Sequence, residues 1–308
     1  MSGDCPACGA QLPAEPSLGG PDRLFGLPGT SEVVVCPECG TGKTLPVVPT
    51  EELGALYPDS YNAHRLPDNA ALRSLATLLF RVRYRRALKA APLRALRGLG
   101  PGSLLDVGSG RGDLGVVLGE RGWKVTGLEP SDQACAVAEE RGVTSVEGTL
   151  TTAADSLPGD YDAVVFQHSL EHVAEPGTDL ATAGRLLSAG GLILVSLPNF
   201  RSWQSRRFRE RWFHLDLPRH RTHFSPLGLE LLLRRQGFTE IEVDTATSID
   251  GLPGSLQYRL FGRRRFDHGV GQYAVIALSL ALLPVSALVN ALGGGGDVLT
   301  AVARKPKT

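Results

Sequence analysis

Excess charge of either sign is missing from this chain of 308 residues, in which 32 Lys+Arg face 32 Asp+Glu for a formal net charge of zero. That excludes a chain which holds nucleic acid mainly by its charge. Lysine is scarce, with only five residues, so arginine supplies 27 of the cationic side chains. A disorder-prone composition is also missing: hydrophobic residues make up 42% and charged residues 21%, which is ordinary for a globular protein and unlike a disordered or collagen-like one. The opening residues, Met1 to Pro6, have neither the basic stretch nor the apolar run of a secretory leader. The expected compartment is therefore the cytoplasm, where thiols stay reduced and disulfides are not the expected use of cysteine.

The cysteines that are present fall into a pattern. Cys5-Pro-Ala-Cys8-Gly and Cys36-Pro-Glu-Cys39-Gly are two C-x-x-C knuckles, each closed by glycine. Thiolates at that spacing can face one tetrahedral ion, and the glycine lets backbone N–H groups turn toward the sulfurs. Cys5, Cys8, Cys36 and Cys39 are therefore expected to hold a structural Zn2+ whose closed shell leaves no position for catalysis. A redox role is set aside for want of an adjacent βαβ pattern. Cys135 lies in a helical pattern and reads as a small core residue.

Residues 1–50 are expected to form the zinc ribbon and residues 51–100 a basic helical linker. In the linker, Leu72, Leu75, Leu79 and Val82 recur at helical spacing among arginines. From residue 101 strand and helix patterns alternate. Leu104–Val107, Val125–Leu128, Ala163–Phe166 and Leu192–Leu197 are apolar runs typical of buried parallel strands, and Thr144–Val146 is a weaker one. Helical patterns separate them, and the fold class expected is a doubly wound, Rossmann-like α/β sheet. A hydrophobic helical insertion over 249–295 contains an uncharged run from Val270 to Leu292.

The segment Leu104-Leu-Asp-Val-Gly-Ser-Gly-Arg-Gly-Asp113 runs from a strand through a glycine-rich turn into a helix. Gly108, Gly110 and Gly112 let the backbone turn tightly and approach a ligand without a Cβ clash. Glu129 ends the next strand, where a carboxylate can accept both hydroxyls of a ribose. A dinucleotide fingerprint requires glycine where this chain has Asp113. An acid at that position repels a pyrophosphate, so the turn suits a ligand without phosphate.

These motifs resemble those of the class I S-adenosylmethionine-dependent methyltransferases. Asp-Val-Gly-Ser-Gly-Arg-Gly looks like their first motif and Gly-Leu-Glu-Pro-Ser like their second-strand acid. Tyr161-Asp-Ala-Val-Val-Phe-Gln-His-Ser-Leu-Glu-His-Val and Leu186-Leu-Ser-Ala-Gly-Gly-Leu-Ile-Leu-Val-Ser-Leu-Pro-Asn resemble their fourth-strand and fifth-strand regions. The resemblance covers about residues 100–245. It implies that Asp106, Gly108, Ser109, Gly110, Gly112 and Glu129 hold S-adenosyl-L-methionine. It further implies that Thr149 and Leu150 lie against the adenine, and that Gln167 and His168 border the methionine end. Thr149 stands where many relatives carry an aspartate for the adenine amine. By the same resemblance Asp297–Arg304 is the last strand of the sheet, beside Ile241–Val243, so the methyltransferase domain spans 101–248 and 296–305.

Methyl transfer to oxygen needs an aligned acceptor and a base, and histidine suits the base near neutral pH. The candidates are His168 and His172 after the fourth strand, and His220 and His223 after the fifth. Glu171 and His172 also look like the Glu-His pair of ubiquinone-pathway O-methyltransferases, where the resemblance implies a divalent ion. Arg219 and Arg221 are expected to bind a phosphate or carboxylate of the acceptor.

Arginines gather at 201–221 and at Arg259, Arg263, Arg264 and Arg265, just before the uncharged run. Both flanking strands must lie on one side of any membrane, so a single crossing is set aside. Pro284 is expected to divide the run into two helical halves. The expectation is a hairpin that dips into the cytoplasmic leaflet, with peripheral membrane contact through 259–292 and a small-molecule or lipid-linked acceptor taken from there. The competing location for the run is a helix pair packed inside the protein. Competing functions are a soluble nucleotide-sugar or natural-product methyltransferase, an RNA methyltransferase and a non-enzymatic scaffold. No nucleic-acid partner is expected, because the ribbon is acidic.

Overall fold

The computed structural model describes residues 3–57, 84, 87–265 and 270–307. Its main element is a seven-stranded mixed sheet. The strands are β4 (Ser103–Val107), β5 (Lys124–Glu129), β6 (Thr144–Glu147), β7 (Tyr161–Gln167), β8 (Leu187–Pro198), β10 (Thr239–Ala246) and β11 (Val298–Arg304). They lie in the order β10-β11-β8-β7-β4-β5-β6. Pairing is parallel from β6 through β5, β4 and β7 to β8, and β11 runs antiparallel between β8 and β10. The chain order reverses direction at β4, so β4, β5 and β7 open their carboxyl ends onto one crevice.

The apolar runs explain the central strands. Leu104, Leu105, Ala163, Val164, Ile193 and Leu194 are all fully buried, as a sheet covered on both faces requires. Helices α1 (Asp113–Gly119), α2 (Asp132–Glu140), α3 (Leu150–Ala153), α4 (Pro176–Leu186) and α6 (Pro226–Arg235) flank it. Ser131 caps α2 by accepting from the Ala134 amide, and Ser225 caps α6 by accepting from Gly228. Cys135 is a buried residue of α2. Strand β8 is longer than the apolar run alone suggests, because Leu187 pairs with Tyr161 and extends it backward.

A second sheet contains β1 (Leu18–Pro21), β2 (Thr30–Val35) and β3 (Gly42–Leu45) of the ribbon. Its fourth strand, β9 (Thr222–His223), comes from the segment that follows the fifth parallel strand. Gly42 faces His223 and Lys43 faces Thr222. The ribbon is therefore joined to the methyltransferase-like part by main-chain pairing. Of the linker, residues 58–83, with the helical pattern from Leu72 to Val82, lie outside the described residues. Leu93–Gly98 is a 3-10 helix.

The insertion consists of α7 (Gly251–Phe261) and α8 (Val270–Leu292), with the short α5 (Trp203–Phe208) packed against both. The expectation that Pro284 divides the run is corrected: α8 is one continuous helix with Pro284 inside it. A proline forfeits one intrahelical bond, and packing along a neighbouring helix outweighs that local loss. The orientation of α8 is inverted relative to a soluble helix. Ser279, Ser286 and Asn290 are buried, whereas Leu278, Leu280, Val285, Leu288 and Leu292 are exposed. Asn290 donates to Thr247 Oγ1 and Asp297 Oδ1 and accepts from Gln204, so its burial is compensated. Among the described residues no helix is long and apolar enough to cross a membrane.

Gly254 brings α7 against the segment that carries the histidines: a methyl group there would lie 2.3 Å from a ring carbon of Phe213. Gly254→Ala should therefore destabilise the chain by about 1–3 kcal/mol. The check is a lowered midpoint in thermal unfolding; an unchanged midpoint would show that the α7–Phe213 contact gives way freely.

Candidate functional site

The crevice begins where β4 ends. Gly108 takes φ +75°, and a Cβ there would lie 2.5 Å from the Cβ of Ser169. Gly112, also left-handed at φ 74°, caps α1. Gly108 needs glycine for both space and backbone conformation, and Gly112 for its backbone conformation. Glu129, 5% exposed, accepts from the amides of Gly110 and Ser131 at 2.9 and 3.1 Å. Burial pushes its carboxyl up, and those two amides oppose the shift. Asp106 is pushed up to about 7, first by burial and then by the nearby Glu129 and Asp113 carboxylates. Asp113 begins α1 and pairs with Arg111 and Arg141 at 3.1 and 2.7 Å. The protein's own carboxylate thus occupies the helix N-terminus, where a phosphate would otherwise bind.

The site residues expected from the sequence converge on this crevice in part. Ser169 Oγ donates to Val107 O at 2.6 Å, which brings the end of β7 against the glycine turn. Gln167 Oε1 and Ser109 Oγ are buried side-chain atoms without a hydrogen-bond partner. Leu150 is buried in the core, and Thr149 caps α3, its amide accepted by Thr152 Oγ1 at 2.9 Å. Two buried carboxylates, a glycine at 108 whose Cβ would collide with Ser169, and the buried Ser109 Oγ and Gln167 Oε1 without a hydrogen-bond partner fit S-adenosylmethionine. Its sulfonium and ammonium charges would offset the acidic lining.

Across the crevice lies a second group. After β7 the chain makes a 3-10 turn, Leu170–His172, with His168 at φ 55° before it. Glu171 is 1% exposed, and neither of its carboxylate oxygens has a hydrogen-bond partner. His168 Nδ1 stands 3.5 Å from Glu171 Oε1, and His220 Nε2 stands 4.0 Å from the same oxygen. The His172 and His220 rings meet edge-on, with centroids 4.6 Å apart. His220 Nδ1 lies 3.0 Å from His214 O. A carbonyl only accepts, so Nδ1 carries the proton, and Nε2 lies 4.0 Å from Glu171 Oε1 and 3.7 Å from Asp216 Oδ2. His172 Nδ1 reaches Arg219 O at 3.2 Å and Tyr57 Oη at 3.1 Å. Burial, then the neighbouring histidines, hold His220 well below its ordinary pKa. A buried carboxylate with imidazole nitrogens this close to it makes an electron-rich group of donors. One ligand atom from each of Glu171, His172 and His220 lies within 4.8 Å of the others, and this donor set fits a divalent cation.

His223 lies apart from this group, in the ribbon sheet. Thr44 Oγ1 donates to His220 O at 2.6 Å and must therefore accept from His223 Nε2–H at 2.9 Å. Burial lowers His223 to about 3. The expected acceptor role of the two arginines is corrected. Arg219 is fully buried and saturated by Asp22 and Asp216. Arg221 is 3% exposed and its Nη2 donates to Val48 O. Neither presents a free guanidinium to a ligand. Sequence reasoning missed Tyr57, Thr44 and Asp22. No motif marks them, since each matters only through a partner more than a hundred residues away.

In the ribbon the four expected sulfurs converge. Cys5 and Cys39 Sγ are 3.6 Å apart and Cys8 and Cys36 Sγ 3.5 Å apart, and all four lie within 4.8 Å of one another. Separations of this order suit four thiolates about 2.3 Å from one Zn2+.

The family model described as "Methyltransferase domain" matches residues 80–243. The ubiquinone biosynthesis O-methyltransferase of Pseudomonas paraeruginosa is 34% identical over 108 residues, which is 33% of this chain and 47% of that protein. Its namesake in Sodalis glossinidius is 36% identical over 108 residues, 33% of this chain and 43% of that one. The chain spans less than half the length of these curated relatives. A solved S-adenosylmethionine-dependent methyltransferase from Archaeoglobus fulgidus superimposes with a TM-score of 0.50 at 18% identity, covering 74% of this chain and 94% of that one. It is a likeness of fold alone.

Asp106 gives the crevice a pH dependence. A cationic ligand favours the ionised carboxylate, so affinity should rise with pH until the group is ionised in the free protein, near 7. Calorimetric titration with S-adenosylmethionine should show tightening from pH 5.5 to 7 and a plateau above, with proton release on the acid side. Asp106→Asn should flatten the curve, and an equally steep curve in that variant would assign the dependence elsewhere.

Proposed function

The chain belongs to the methyltransferase-domain family, and from that premise we propose that it transfers the methyl group of S-adenosylmethionine to an oxygen of an amphiphilic acceptor. A quinone-like phenol is the first choice and a polyprenyl-linked sugar the second. The observation that carries this reading is the buried Glu171 carboxylate, without a hydrogen-bond partner, beside His168 and His220. The names of the O-methyltransferase relatives support it.

On this reading Asp106, the 108–112 turn and Glu129 hold the cofactor, and Gln167 and His168 border its methionine end. Glu171, His172 and His220 receive the acceptor hydroxyl. His220, neutral through burial and with its Nδ1 proton held by His214 O, offers Nε2 to the hydroxyl proton. Deprotonated oxygen then attacks the sulfonium methyl in line, and S-adenosylhomocysteine leaves. In place of that proton transfer, Glu171, His172 and His220 would hold a divalent cation through the same Nε2, and such a cation would lower the pKa of a hydroxyl bound to it. The four-cysteine cluster would hold Zn2+ in a closed, structural shell.

Peripheral membrane contact is part of the proposal. The outward leucines of α8 and the neighbouring Arg259, Arg263, Arg264 and Arg265 match a leaflet with anionic headgroups. An acceptor with a lipid tail would then be taken at the cytoplasmic face.

Glu171→Gln and His220→Ala should each lower turnover of a catechol, with or without a prenyl tail, by roughly 10²–10⁴-fold while S-adenosylmethionine affinity holds. Unchanged turnover in both would sink the assignment. In flotation assays the full chain should rise with vesicles containing anionic lipid, and Leu280→Glu with Leu288→Glu should stay at the bottom. Equal recovery of the two proteins would remove the membrane contact.

A further inference from the structure

The segment bearing His214, His220 and His223 is fastened to the ribbon at points spread along its length. Thr44 N donates to Arg221 O at 2.9 Å. Thr44 Oγ1 holds His220 O and the His223 ring. Ser225 Oγ donates to Cys39 O at 2.5 Å, beside a cluster thiol. Arg219 makes a two-point pair with Asp22, through Nη2 at 2.6 Å and Nη1 at 3.1 Å. Asp22 is itself fixed, accepting from the amides of Leu24, Phe25 and Leu27.

The main chain carries this fastening to the group around Glu171. Arg219 O accepts from His172 Nδ1, and Arg221 N donates to Glu171 O at 2.9 Å. An imidazole presents the nitrogen that its other nitrogen's bond leaves free, so the partner of Nδ1 decides what Nε2 can do. Asp22 sets Arg219, and the carbonyl of Arg219 holds His172 Nδ1 together with Tyr57 Oη. Thr44 sets the carbonyl of His220 and the tautomer of His223. Thr44, 2% exposed, and Asp22, 6% exposed, both lie outside the crevice walls that the glycine turn and Glu129 form.

We propose that the four-cysteine ribbon is the positioning element of the acceptor centre, with Thr44 and Asp22 as its positioning residues. The proposal rests on the reading of Glu171, His172 and His220 as that centre. It gives the N-terminal domain a part in catalysis that needs no open position on a metal and no contact with substrate.

The test uses the full chain, purified with its metal and labelled with 15N-histidine. Ring shifts should report His223 as the Nε2–H tautomer, and His172 and His220 as Nδ1–H tautomers. Thr44→Val keeps the volume and removes both hydroxyl bonds. It should leave His223 averaged between tautomers and broaden His220. Turnover at saturating S-adenosylmethionine should fall roughly tenfold or more, with cofactor affinity unchanged, and Thr44→Ser should restore both signals and rate. Unaltered ring shifts and turnover in Thr44→Val would overturn the proposal, as would a loss of cofactor affinity that matches the loss of rate. If Thr44→Val does not fold, Asp22→Asn is the second variant. It should perturb the His172 ring signal, and an unperturbed signal overturns the proposal. Should Glu171→Gln and His220→Ala turn over normally, the acceptor centre fails as a reading, whereas the tautomer measurement still decides whether the ribbon sets the rings.

Discussion

A guanidinium with no access to solvent has to find its counter-charges inside the protein, and Arg219 finds them on two separate elements. Asp22 comes from the ribbon, and Asp216 from the turn just before Arg219 itself. Burial works against the charge, and the two carboxylates more than offset it, so the guanidinium is held above its ordinary pKa. Removing one member of such a buried set typically costs about 3–5 kcal/mol, because the other charge is left stranded. The ring of Phe25 covers the guanidinium from 4.8 Å. Among the attachments of the histidine segment to the ribbon, this is the one that also neutralises a fully buried charge.

Seen from that pair, the zero net charge acquires a spatial meaning. The acidic ribbon sits against the arginine-rich stretch that follows β8. Arg23 donates to Glu210 O, Arg209 to Ser17 O and Arg235 to Ala7 O. Of the arginines at 201–221, Arg219 is the one buried against a ribbon carboxylate, that of Asp22, and Arg209 reaches the ribbon at its surface. At 263–265, Arg263 and Arg265 are exposed, while Arg264 stacks over Phe213.

The positions of the parallel strands were legible because a strand covered on both faces is written as an unbroken apolar run. The glycines at 108, 110 and 112 were legible because a tight turn restricts residue type, and all three take positive φ. The four cysteines were legible from spacing alone. Other features could not be read. Thr44 and Asp22 are common residue types whose role exists only once β3 and β9 pair. Arg219 and Arg221 looked like ligand-binding arginines because a sequence does not say which charges are buried. Pro284 looked like a break because the local rule ignores a neighbouring helix. The inverted face of α8 escaped a hydropathy reading, since a buried Asn290 is explained only by Asp297, Thr247 and Gln204.

The two-residue strand β9 has a consequence for how such a protein can be inherited. Thr222 and His223 pair with the ribbon and not with the seven-stranded sheet. A gene fragment starting at residue 101 would encode every strand of that sheet, yet leave the edge of β9 without a neighbour and Arg219 without Asp22. The ribbon is thus not a detachable module. Recombination that brings a different N-terminal domain to this crevice would have to bring a matching segment 212–225 with it, so the two halves of the chain are expected to descend together.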